Sequence, residues 1–103
     1  DELAQFSRAF RALPAVPFAD VAAPGDVRIR SAMHAGSLYF YAANTGERAA
    51  AIRLQINGKR TATVDLADGR KVAPAGALTI SLPPYSLRSY RADGKGLSLV
   101  SLP

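Results

Sequence analysis

The residues capable of acid–base or metal chemistry are few and scattered along this sequence. His34 is its sole histidine and the chain has no cysteine, so neither a thiolate site nor a cluster of imidazoles can form. A catalytic or metal-bound histidine needs partners of the types missing here. We therefore interpret His34 as a surface-loop residue and expect the chain to bind no metal and no cofactor.

The carboxylates are no more suggestive of catalysis. Asp65 and Asp68 are close in sequence, but both fall where a predicted strand runs into a turn. Glycoside hydrolysis needs two opposed carboxylates at a set separation, one with a raised pKa. The sequence also lacks a Gly-x-Ser-x-Gly elbow and a glycine-rich phosphate loop before a helix. We expect no catalytic residue and no enzyme activity from this chain by itself.

Tyr39 and Tyr41 are the residues best suited to binding. They alternate with Leu38, Phe40 and Ala42, so in a strand they share one face, about 7 Å apart. Two rings on one face can form a flat platform for carbohydrate. Tyrosine is also a favoured strand residue that packs well against neighbours. We favour packing, and keep carbohydrate contact as the alternative.

Composition limits the class of protein and of partner. A chain of 103 residues, 49% hydrophobic and 20% charged, suits one folded domain with its own core. The net charge is +5, but the basic residues are spread out, which argues against nucleic-acid binding. Apolar runs fall far short of the ~18 residues that cross a bilayer, so no membrane insertion is expected. The chain begins with acidic residues and shows no basic-then-apolar leader, so we expect a mature product or a fragment.

The first thirteen residues have the spacing of a helix. Leu3, Phe6 and Phe10 recur every three or four positions and share a face, and Pro14 ends the helix. That face must pack on the rest of the chain or on a neighbouring domain, and we predict interdomain packing for these three residues. The predicted organisation is helix and linker over 1–22, then a β domain over 23–103.

From Val27 onward the hydrophobic period changes to two. Turn signals, among them Asn57-Gly58, Asp93-Gly94 and the stretch 74–76, separate the alternating runs. We expect inward-facing stripes at even positions, including 38–42, 52–56, 62–66 and 78–82. The pattern predicts an all-β fold, an antiparallel β-sandwich of about seven to eight strands preceded by a short N-terminal helix. The predicted strands cover residues 27–31, 37–44, 50–56, 61–66, 78–82, 86–91 and 97–102.

Several of these runs resemble a known structural pattern. Residues 37–44 (Ser-Leu-Tyr-Phe-Tyr-Ala-Ala-Asn) resemble the strand that opens the C-terminal β-sandwich of many bacterial glycoside hydrolases. The stretches 64–69 (Val-Asp-Leu-Ala-Asp-Gly) and 82–90 (Leu-Pro-Pro-Tyr-Ser-Leu-Arg-Ser-Tyr) are similar to its later strands. Residues 6–18 look like the helix and linker that join it to a (β/α)8 catalytic barrel.

The resemblance implies a non-catalytic accessory domain that packs against and stabilises the barrel of its own polypeptide. It carries over no catalytic residue, since the family's catalytic carboxylates lie on the barrel. It implies export to the periplasm or beyond the cell, whereas polysaccharide as a further partner follows from the tyrosine platform. Two alternatives stay open: an autonomous carbohydrate-binding module using Tyr39 and Tyr41, and an adhesion or scaffold domain of a surface protein.

Overall fold

The computed structural model describes residues 1–72 and 77–102, without the side chains at positions 60 and 61. Within these ranges the strands form one antiparallel sheet in the order β1-β2-β3-β6-β4-β5. The fold is therefore all-β with one short helix, as predicted. The elements are α1 Glu2–Arg11, β1 Ala19–Val21, β2 Val27–His34, β3 Ser37–Asn44, β4 Ala50–Asp65, β5 Ala77–Leu82 and β6 Leu87–Leu102.

Helix α1 begins where its sequence provides a cap. The Asp1 carboxylate accepts a hydrogen bond from the amide of Ala4 at 2.8 Å, which satisfies an amide that has no partner within the helix. An acidic Glu2 in the first turn and a basic Arg11 in the last suit the helix dipole. No helix in residues 1–72 and 77–102 is long and apolar enough to cross a membrane.

Strands β4 and β6 each run for 16 residues and join runs that the sequence pattern separates. They pair with each other from Arg53 opposite Leu102 to Asp65 opposite Tyr90. The hairpin predicted at Asn57-Gly58 is wrong, because both residues lie inside β4. The register shifts there, between Asn57 and Lys59, and Gly58 has a φ of 110°. A positive φ suits a bulge in a strand as well as a hairpin turn.

The same correction applies to Asp93-Gly94, predicted as a turn and found within β6. Two pairs of predicted strands are thus continuous within the described residues, as β4 and β6. The stretch 15–21, expected to be a connector, supplies the short β1 instead, which pairs with β2. The turn predicted at 74–76 lies outside the described residues.

The long β4–β6 ribbon builds both layers of the sandwich. The end of β4 and the start of β6 continue the layer of β1, β2 and β3, and their other halves join β5. Phe40 and Tyr90 stack at 5.3 Å between ring centroids, and burial raises the pKa of Tyr90 to about 12. One core cluster contains residues from both layers: Val27, Ile29, Leu38, Phe40, Ala42, Ile52, Leu54, Ile56, Ile80, Leu82, Tyr90, Ala92, Leu97 and Leu99.

The inward stripes are confirmed except in the second half of β4. The even positions of 38–42 and 52–56 are buried, as are Ile80 and Leu82. In the stretch 61–66, however, Thr63 is buried, whereas Ala62 and Val64 are only half-buried. The register shifts along β4 explain this, because a one-residue offset moves each following side chain to the opposite face.

Candidate functional site

Both candidate tyrosines project from β3 on the outer face of the first layer, opposite the buried Phe40. The strand register places Ala32 and Arg91 on either side of Tyr39. One pair further along, the same register places Arg30 and Ser89 beside Tyr41. The face shared by the two tyrosines therefore has different neighbours at each ring.

Helix α1 lies over the Ser89 end of this outer face. The Ser89 hydroxyl donates a hydrogen bond to the carbonyl oxygen of Ala9 at 2.6 Å, and Ala9 is fully buried. Arg88 and Glu2 form an ion pair of 2.6 Å. The hydrogen bond from Arg88 lowers the pKa of Glu2. The helix is thus fastened to β6 of its own domain.

The contact with β6 leaves part of the apolar face of α1 exposed. Leu3 is 79% exposed and Phe10 55% exposed, whereas Phe6 is half-buried. The rings of Phe6 and Phe10 lie 6.5 Å apart. We call Leu3, Phe6 and Phe10 the α1 surface. The residues predicted for interdomain packing thus lie on a helix that also packs on the sandwich.

A groove adjoins the α1 surface at the end of the helix, beside the segment that connects α1 to β1. Its volume is about 760 Å³, within the range of ligand and side-chain pockets. Arg30 and Tyr41 line it together with the apolar residues Phe10, Leu13, Val16 and Phe18. The groove continues the apolar area that begins at Phe10.

Tyr41 is held within this groove. The ring of Phe18 lies 5.6 Å from that of Tyr41, and Arg30 donates to the carbonyl oxygen of Phe18 at 3.1 Å. The hydrogen bond with Tyr41 and the nearby Asp20 carboxylate raise the pKa of Arg30. These contacts give Tyr41 a packing role within the domain.

Tyr39 lies at the other end of the face, among polar side chains. The Asp93 carboxylate accepts a hydrogen bond from the Ser37 hydroxyl at 2.6 Å and another from Arg91 Nε at 3.1 Å. The ring of His34 lies 6.0 Å from that of Tyr39. We call Tyr39, His34, Ser37, Arg91 and Asp93 the Tyr39 surface.

The two carboxylates weighed for catalysis serve the turn after β4. Asp65 accepts the amide of Ala67 at 2.9 Å and Asp68 accepts that of Arg70 at 2.8 Å. Burial raises the pKa of Asp65 above its ordinary value. Among the residues that the structure describes, no three of His, Cys, Asp and Glu come together as a metal site. His34 is exposed at the end of β2.

Asn44 is a structural residue that the pattern analysis missed. It is buried, and its side-chain amide donates to the carbonyl oxygens of Arg48 at 2.7 Å and Leu82 at 3.1 Å. Its side-chain oxygen accepts the amide of Gly46 at 3.0 Å. The signal was available, because Asn44 occupies the next inward position after Ala42.

No family model matches the chain, and no curated protein matches it in sequence. Its fold does match solved structures. One is α-galactosidase I from Mortierella vinacea, with a TM-score of 0.66 and 16% identity over 76% of this chain and 23% of that enzyme. Another is a GH27 β-L-arabinopyranosidase from Geobacillus stearothermophilus, solved with arabinose, with a TM-score of 0.63 and 13% identity over 75% of this chain and 19% of that enzyme.

The matched part of these enzymes is their C-terminal β-sandwich. The present chain therefore has the fold of a glycoside hydrolase C-terminal β-sandwich, and it spans about a fifth of the length of the enzymes it matches.

Proposed function

We propose that this chain is a non-catalytic accessory β-sandwich of a glycoside hydrolase, which packs against and stabilises the catalytic barrel of the same polypeptide. The observation that carries the proposal is the fold match to a region making up about a fifth of two glycosidases. The matched region is a small part of each enzyme, which fits an accessory role. Most of each enzyme lies elsewhere in its chain.

The placement of the acidic residues supports a non-catalytic role. Asp65 and Asp68 bind backbone amides of their own turn, and Asp93 is held by Ser37 and Arg91. A glycosidase needs one carboxyl group as acid and one as base or nucleophile, opposed across a sugar ring. The turn carboxylates instead complete local backbone structure.

The α1 surface is the part we propose to meet the barrel. Large apolar side chains exposed side by side mark interaction surfaces, and Leu3 and Phe10 are both exposed large hydrophobic residues. Fully burying such a side chain stabilises a protein by about 1.5–3 kcal/mol. The groove beside Phe10 offers room for a side chain from the partner.

The coding sequence before Asp1 is the first test, because a barrel with two carboxylates at its strand ends must precede the domain. In that full polypeptide, Leu3→Lys with Phe10→Lys should lower the barrel's thermal unfolding temperature by several degrees. Val100→Lys is the matched control, since Val100 is 42% exposed on β6. A polypeptide without a barrel, or equal melting of both variants, would overturn the proposal.

A further inference from the structure

We propose that the Tyr39 surface binds one pyranose unit of an uncharged polysaccharide, with the sugar stacked on the ring of Tyr39. This role goes beyond packing on a barrel and uses different residues from the α1 surface. It also narrows the two-tyrosine platform that the sequence suggests to a single ring.

The aromatic part of the site is the half-buried Tyr39. Its neighbour on β2 is Ala32, whose side chain is a single methyl group. The C–H groups on one face of a pyranose are apolar and slightly positive, and the face of an aromatic ring is negative. A sugar can therefore stack on Tyr39 while its hydroxyls point outward.

The polar part of the site lies on the neighbouring strand. Arg91 is directly opposite Tyr39 and Asp93 is opposite Ser37, and adjacent strands are about 4.8 Å apart. Side chains at that spacing lie at the rim of a ring stacked on Tyr39. Sugar hydroxyls both donate and accept, so a guanidinium and a carboxylate together suit them.

The hydrogen bonds to Asp93 fix this rim in advance. Ser37 and Arg91 both donate to the same carboxylate oxygen, so their side chains have little freedom left to lose on binding. Preorganisation of this kind raises affinity by lowering the entropy cost.

The charge of the site favours a neutral sugar. Arg91 and Asp93 form an ion pair of 3.1 Å, so the guanidinium is already balanced by a carboxylate. A phosphate or uronate would have to compete with Asp93 for Arg91. An uncharged pyranose can bond to both without separating them.

Tyr41 is excluded from the site by its own contacts. Phe18 packs against its ring and is held in place by a hydrogen bond from Arg30 to its carbonyl oxygen, so a sugar on Tyr41 would have to displace Phe18. Loss of sugar binding should therefore follow changes at Tyr39 and not at Tyr41.

Amide NMR spectra of the chain during titration with D-galactose, L-arabinose, soluble galactomannan and glucuronate test the proposal. We expect saturable shifts at Tyr39 and Arg91 with a neutral probe and none with glucuronate. Tyr39→Ala should weaken binding about tenfold or more, a loss typical of an aromatic contact, and Tyr39→Phe should retain it. Tyr85→Asn is the control, because Tyr85 is 63% exposed outside this surface.

If thermal unfolding shows that Tyr39→Ala does not fold, the single variants Tyr39→Leu and Arg91→Met are used in its place to measure the loss of binding. Absence of saturable shifts with every neutral probe would overturn the inference, as would unchanged affinity in the folded Tyr39 variant. Either result leaves the packing proposal intact, since that one is tested at Leu3 and Phe10.

Discussion

Two residues, Ala35 and Gly36, connect β2 to β3, and both have positive φ, 51° and 81°. Positive φ at both central positions is the requirement of a type I′ hairpin turn, which favours Asn-Gly. Alanine has a Cβ that is strained in this region, whereas asparagine tolerates it. The sequence thus carries a suboptimal residue at this turn.

We expect Ala35→Asn to raise the free energy of unfolding by about 0.5–1 kcal/mol, measured by urea denaturation. Ala49→Asn is the control, since Ala49 is exposed and is not among the described residues with positive φ. An equal gain at both positions would show that turn geometry is not the cause.

Asn44 bears on stability at the same scale. Asn44→Ala removes the side-chain donor to the carbonyl oxygens of Arg48 and Leu82, of which the bond to Leu82 is buried, and a buried group left unpaired costs about 1–3 kcal/mol. We expect a loss of about 2–4 kcal/mol in urea denaturation. Asn57→Ala should cost less than about 0.5 kcal/mol, because Asn57 is exposed and bonds only Gln55 in the described contacts. Similar losses in both variants would contradict the proposed role of Asn44.

Alternation in the sequence predicted which residues are buried until the first bulge and failed beyond it. Phe40 and Leu54 follow the period of two, but Thr63 is buried where Val64 was expected. The offset depends on how β4 pairs with β6, and residue order along β4 alone does not contain that information. The same is true of Tyr39 and Tyr41. Alternation predicted that they share a face of the sheet, but it did not predict that Phe18 packs on Tyr41.

At the scale of elements, the attachment of α1 depends on pH through Glu2. Its pKa is lowered from an ordinary 4.5 by the hydrogen bond with Arg88, so the folded state holds this proton more weakly than the unfolded chain. The stabilisation is therefore present above the unfolded pKa and is lost as the pH falls through the folded value.

We expect Glu2→Gln to speed amide hydrogen exchange of α1 at neutral pH, with β3 unaffected. The difference from the unmodified chain should shrink as the pH falls below 4.5. Glu47→Gln, which removes the same charge from an exposed loop residue, should leave α1 unchanged. Faster exchange of α1 in both variants would mean that net charge, and not the Arg88 contact, is responsible.

The sequence predicted the bounds of some helices and strands better than those of others. The bounds of β3 and the existence of α1 follow from local periodicity and capping, and both were predicted. The two long strands were not, because a glycine after asparagine fits either a hairpin or a bulge. The pairing of Gly58 with the segment around Gly96 decides between them, and that contact is 38 residues away in sequence.

At the scale of the molecule, the pairing of the two long strands depends on the register shift at Gly58. A Cβ at this position would lie 2.6 Å from the carbonyl oxygen of Gly96 and 2.9 Å from Leu97 Cδ2. The two paired strands approach so closely there that a side chain cannot fit without moving the backbone. The pairing of β4 with β6 at the register shift thus requires a glycine at this position.

We expect Gly58→Ala to lower the free energy of unfolding by more than about 2 kcal/mol, from strain at positive φ plus the clash. Gly69→Ala is the matched control, because Gly69 has a φ of 73° with open space around it. Its free energy of unfolding should fall only by the cost of the backbone strain, about 1 kcal/mol. Equal losses in thermal unfolding would show that the close approach to Gly96 does not restrain the fold.

The β4–β6 ribbon also determines when this domain can fold during synthesis. Arg53 pairs with Leu102 and Asp65 with Tyr90, so β4 stays without its central partner until β6 has left the ribosome. Pairings between distant residues are slow to form and leave strand edges exposed meanwhile. The layer of β1, β2 and β3 can therefore close only after the start of β6 has been synthesised, and the layer of β5 only after the end of β6 has followed.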